Sequence, residues 1–200
     1  MRYYFFNTPG KKHAAPFKQY AIKQNIATAN ILSLTIIGMC LVLLASKLFI
    51  NYTQVVTKPH EYRAVFVFLF ACSIIYRSLV FIAQKFITKK RLTAYWILSS
   101  YYALVIAMGF MWLTFVAQHN PRNALTMFTV GMFGVAVLWI MDFIGTISMA
   151  IITFVVFAVS LHFFQDNNMM IWQSYIAAII IITIFFVISR ISYSYHYMYY

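Results

Sequence analysis

Arg77 lies well inside an apolar stretch, ACSIIYRSLVFIAQ. A guanidinium at bilayer depth is costly, and it ordinarily faces a partner or a wet cavity. Asp142 is the only acid in the apolar part of a chain that holds just three carboxylates. The two are expected to approach each other, directly or through water, as an intramembrane polar lock. The alternative is that Arg77 extends to the headgroups while Asp142 only caps a turn. A second group is formed by His60, His119 and His162, with Glu61 and Asp166 falling on the same side of the membrane. Imidazoles and carboxylates can bind a divalent metal or sense external pH. Their spacing fits no metal motif, so no metal site and no cofactor are expected.

Trp112, His119, His162 and Trp172, with Asp166 and His60 beside them, are the candidate recognition face for a small ligand on the outer side. The third apolar run is dense in aromatic residues, Tyr95, Trp96, Tyr101, Tyr102, Phe110, Trp112 and Phe115. They would line a cavity for a flat or apolar molecule, or simply pack. Catalysis finds little support. No paired acids occur in a hydrophilic loop, and neither a Gly-rich phosphate loop nor a Gly-x-Ser-x-Gly elbow is present. Ser189, Arg190 and His196 match one motif of lipid phosphatases, but the Asp expected after the His is Tyr200.

The elements that must position these residues are helices in a bilayer. The chain of 200 residues is 64% hydrophobic and 9% charged, with mean hydropathy +0.81, too little charge to cover a water-soluble surface. Its apolar runs do not alternate as barrel strands do, and their lengths suit helices crossing the hydrocarbon layer. Spans are expected over 26–49, 64–86, 93–117 and 171–189, with the apolar block 124–164 broken into two at Met141-Asp142 and Gly145. The fold class is therefore an all-α, six-helix transmembrane bundle. Residues 1–25 form a basic leader, with Pro16 opening a short helix on the membrane surface. Residues 26–190 form the membrane domain, and 191–200 begin a cytoplasmic helix. Cys40 and Cys72 fall inside apolar runs and read as packed thiols.

The net charge of +12 belongs to cations flanking the spans, so no nucleic-acid partner is expected. With the N-terminus in the cytoplasm, Arg2, Lys11, Lys12, Lys18, Lys23, Lys85, Lys89, Lys90, Arg91 and Arg190 lie inside. Only Lys47, Lys58, Arg63 and Arg122 lie outside. That bias sets an N-in, C-in topology, with Trp96 and Trp139 near the inner interface and Trp112 and Trp172 near the outer one.

The last span runs past Arg190 into ISYSYHYMYY. Ile188, Ile191, Tyr195 and Met198, preceded by Ile184, keep a heptad register suited to an output seam between two copies. With the leader FFNTPGKKHAAPFKQYAIKQN and the short KKRL turn, this layout resembles the six-helix membrane input regions that precede GGDEF-type diguanylate cyclase or histidine kinase domains in bacterial receptors. The resemblance covers the whole chain, is architectural, and includes no catalytic signature. It implies a homodimeric sensor in the inner membrane, passing a ligand or membrane signal through the last helix to a cytoplasmic effector. The alternative is the substrate-binding membrane subunit of a small-molecule transporter, which is similar in size and helix number.

Overall fold

A computed structural model describes residues 11–49, 59–87, 91–117, 125–165 and 167–200. Six helices account for nearly all of them: α1 (Lys11–Phe49), α2 (Pro59–Phe86), α3 (Arg91–Ala117), α4 (Thr126–Leu138), α5 (Phe143–Phe164) and α6 (Asn168–Met198). The outer helices each bury a narrow stripe. In α1 it runs through Ile22, Ile26, Ala29, Ser33, Ile36 and Cys40, and in α2 through Val65, Leu69, Cys72, Tyr76 and Val80. Three- and four-residue steps place such residues on one face of a 3.6-residue helix. The opposite faces are also apolar: Ile31, Val42, Phe81 and Ile144 are 63–74% exposed. Helices that are apolar all round belong in lipid, and five of the six are long and apolar enough to cross it.

The exception is α4. Its 13 residues reach about 20 Å at 1.5 Å per residue, short of the roughly 30 Å of a hydrocarbon core. The break expected near Met141 and Gly145 is present, but as an extended stretch, 139–142, and not as a tight turn between two full spans. Trp139 and Asp142 both have extended backbone angles.

α3 is the axis of the bundle, with 56% of its apolar span buried against 17–33% for the other long helices. α2 packs on α1 and α3; α4 packs on α3 and α6; α5 packs on α6 and α3. Arg91 closes the tight turn from α2 to α3 by donating to the carbonyls of Gln84 and Ile87, a cation satisfying orphan groups at a helix C-terminus. The beginning of α1 meets the end of α6. Phe17, 1% exposed, packs edge-on against Tyr193, Tyr197 and Tyr200, with ring centroids 5.1–5.6 Å apart. Both ends of the described chain thus lie at one end of the bundle. The leader does not stop at residue 25: α1 is continuous from Lys11, through Pro16, into the membrane-spanning part. Pro16 sits near the helix start, where its missing N–H costs a single helical hydrogen bond.

Candidate functional site

The extended stretch 139–142 carries backbone groups that no helix satisfies. Irregular backbone at bilayer depth is tolerated only where protein buries it or it lines a cavity; here both hold. Asn25 of α1, 6% exposed, turns its amide onto Ile140. Its Nδ2 donates to the Ile140 carbonyl at 2.9 Å, and its Oδ1 accepts from the Ile140 N–H at 2.8 Å. One side chain thereby replaces a whole step of a β-ladder. From the other side Arg190 of α6, 3% exposed, donates from Nη2 to the Met141 carbonyl at 2.7 Å. Its guanidinium also lies 4.6 Å from the Tyr193 ring centre, a cation–π contact. Ser192 reaches the Val137 carbonyl at 3.4 Å. The buried Trp139 indole donates to the Ser99 carbonyl of α3 at 3.1 Å. Asp142 caps α5, with Oδ1 accepting from the Gly145 N–H at 2.8 Å. A Cβ on Gly145 would stand 2.7 Å from that oxygen, so a larger residue would make the Asp142 carboxylate shift. Just inside α5, the Thr146 hydroxyl meets that of Ser189 at 3.1 Å, both fully buried.

A cavity of about 570 Å³ lies beside this clamped stretch, between α1, α3 and α5. That volume falls in the range of small-molecule sites. Among the described residues its charged lining is Lys18 and Asp142. Lys18 Nζ stands 5.9 Å from the Trp96 ring centre, and Trp96, Trp139 and Tyr193 add aromatic wall.

The expected polar lock does not form. Arg77 is half-buried and donates from Nη1 to the Asn30 carbonyl of α1 at 3.3 Å, whereas Asp142 caps α5. Arg77 belongs to α2, which packs on α1 and α3, and the backbone of α1 supplies its acceptor. The buried arginine at the break is Arg190, which the charge pattern places among the interfacial cations. Its Nε has no hydrogen-bond partner among the described residues.

Of the outer recognition face, His119 and Asp166 lie outside the described residues, and His60 falls in the first turn of α2. His162 and Trp172 are brought together through Tyr175. The His162 Nε2 is 2.9 Å from the Tyr175 hydroxyl, and the Trp172 ring is 6.2 Å from the Tyr175 ring. Trp112 instead packs edge-on against Phe68 of α2 at 5.6 Å. This end is remote from the cavity, which opens at the end where Phe17 and Tyr193 meet. Of the third-span aromatics only Trp96 lines the cavity. Tyr102 stacks on Tyr76 at 4.4 Å, and Phe115 stacks on Phe157 and Phe164. Trp139, expected at the interface, is 1% exposed in the core. Along the output seam Ile191, Tyr195 and Met198 are 54–57% exposed, and Ile188 is half-buried. Cys40 and Cys72 are free thiols, both buried. Ser189, Arg190 and His196 turn to three different partners, Thr146, Met141 and the Ser192 carbonyl.

Asn25 and Arg190 are the two site residues that sequence reasoning missed. Asn25 sits eight residues after Phe17 and four after Ala21, on the stripe that those apolar residues begin, and a polar residue on an otherwise buried stripe was the signal available. No family model matches this chain, and no curated protein or solved structure does either.

Proposed function

We propose that this protein is a multi-pass membrane module that binds a small molecule in the cavity beside the helix break. Occupancy is passed through α6 to a cytoplasmic partner, in the manner of a sensory input region. The observation that carries the proposal is the double clamp on residues 139–142. The wall of the cavity is hydrogen-bonded to the first helix by Asn25 and to the last helix by Arg190. A ligand that displaces Met141 or Asp142 must disturb the Arg190 contact, and α6 is the helix that carries the Ile191, Tyr195 and Met198 face. A switch needs such a differential contact between two packings. Among the described residues, and leaving Arg190 aside, Lys11, Lys12, Lys18, Lys23, Lys85 and Arg91 flank the chain-end side against Lys47 and Arg63 opposite, which favours placing the cavity and both ends toward the cytoplasm of a bacterial inner membrane. The exposed seam suits a second copy, making the unit a homodimer.

The test uses a dimerisation-dependent reporter enzyme fused after Tyr200. A cavity-filling change, Ser148→Trp, is expected to fix the reporter in one state. Adding Arg190→Met should uncouple it, because Met keeps the bulk and removes the hydrogen bond to Met141. Identical output from the parent, filled and uncoupled chains would end the signalling proposal.

A substrate-capture subunit of a transporter is the second function, favoured by one feature. Unwound backbone between helices lines the solute sites of many transporters, and here the break lines the cavity, though toward the chain-end side. Such a subunit would hold its solute through purification and would show no reporter response to Arg190→Met.

A further inference from the structure

We propose that the cavity takes a membrane phospholipid with a zwitterionic head, one bearing a phosphate and a primary ammonium, drawn from the leaflet on the chain-end side. The proposal rests on the cavity being the ligand site and names the class of ligand.

Polarity changes along the cavity in one direction. Lys18, Asp142 and Tyr193 line the end near the chain termini, while Leu104 and Ile152 line the other. From Trp96 to Leu104 on α3, and from Ile144 to Ile152 on α5, the wall runs eight residues. That is about 12 Å along each helix toward the middle of the bilayer. A wall charged at the headgroup level and apolar below it matches an amphiphile standing in a leaflet. The rim points the same way. Ile144 is 74% exposed and Ile152 44% exposed, so the approach between α1 and α5 is through apolar surface. α3 forms the back of the cavity, since both α1 and α5 pack on it. A lipid can enter sideways, its tail through this apolar rim and its head at the open polar end.

The head is specified by charge. Among the described residues the lining holds one cation, Lys18 of α1, and one anion, Asp142 before α5, both at the polar end. An anionic head alone would meet Asp142, and a cationic head alone would meet Lys18. A head carrying both signs pairs with both. Asp142 uses Oδ1 to cap α5, leaving its second oxygen to accept from an ammonium. Lys18 is held over the Trp96 face, where it can donate to a phosphate.

The full chain, reconstituted in bilayers of equal phosphatidylethanolamine, phosphatidylglycerol and phosphatidylcholine and then released for native mass spectrometry, tests this. One phosphatidylethanolamine should be retained in preference to the other two. Asp142→Asn keeps a good helix cap and should erase about tenfold of the preference for the primary ammonium; Lys18→Gln should weaken retention of all three by a similar factor. Ile152→Trp, with Ile152→Phe as the milder version at the same exposed position, should abolish retention. Retention unchanged in both Ile152 variants would remove the cavity as a ligand site altogether. Loss of retention in those variants, with lipid preference unmoved by Asp142→Asn and Lys18→Gln, would keep the cavity and overturn the zwitterionic lipid. Preferential retention of phosphatidylglycerol by the parent chain would overturn it as well.

Discussion

At the scale of single residues, Asn25 is the one whose removal should cost most per atom lost. Asn25→Ala strands a buried N–H and a buried C=O on Ile140 at once. Each unsatisfied group costs about 1–3 kcal/mol, so a loss of roughly 3 kcal/mol is expected, read as the shift in an SDS titration of the folded protein in mixed micelles. Asn30→Ala is the matched control. Asn30 serves α1 and Arg77 through its backbone carbonyl, which alanine retains, so the expected change is within about 0.5 kcal/mol. Equal losses at both positions would mean that the clamp on Ile140 does not hold in the bilayer. These two asparagines show what sequence hides at this scale. They are the same residue type, five apart in one polar-apolar transition, and only the stripe of Phe17 and Ala21 sets Asn25 apart, without showing what it bonds. The partner of Asn25 is 115 positions away, and hydropathy patterns report a residue's own face, not what arrives from another helix. The burial and the partner of Arg190 are hidden for the same reason. A cation at the end of an apolar run looks like a headgroup anchor until the 139–142 stretch is packed beside it.

At the scale of elements, the helix positions were legible because lipid imposes a simple rule, long apolar runs bounded by polar residues, and α2, α3, α5 and α6 fall close to the expected limits. What stayed hidden was α4. The block 124–164 is almost uniformly apolar, so composition alone gives no sign that helical hydrogen bonding stops at Leu138. Only Asp142 and Gly145, a capping acid and a small residue beside it, marked the restart. The short α4 is seated by close approach. A Cβ on Gly131 would lie 2.5 Å from the Cβ of Phe110 on α3, an atom that cannot swing away without moving backbone. On Gly109 the Cβ would instead meet the tip of the Leu69 side chain on α2, which can change rotamer. Gly131→Ala should therefore destabilise by about 1–3 kcal/mol, the range for overpacking a filled core. Gly109→Ala should cost distinctly less, because a flexible side chain absorbs the strain. The reverse order in the same SDS titration would show that α4 is not held against α3 at Gly131.

At the scale of the whole molecule, the packing of Phe17 against Tyr193, Tyr197 and Tyr200 requires that the first and last helices emerge on one side. Helix number alone does not guarantee this, because α4 is too short to cross as a helix and must share the passage with the extended 139–142 stretch. If that shared passage failed to carry the chain across, α5 would start on the wrong side and the aromatic contact between α1 and α6 could not form. Charge bears on which side it is: the positive-inside rule predicts that the end carrying Lys18, Lys23, Lys85 and Arg91 faces the cytoplasm. Single cysteines in place of the exposed Gln19 and of Tyr199, which is 76% exposed, separate these two statements. The native Cys40 and Cys72 are buried and contribute little background. With a membrane-impermeant maleimide, both introduced thiols should react in inside-out vesicles and neither in right-side-out ones. Reaction of both only from outside would keep the paired ends and reverse the orientation, placing the cavity in the opposite leaflet. Reaction of one from each side would break the contact between α1 and α6, and with it the route from the cavity to the C-terminal helix.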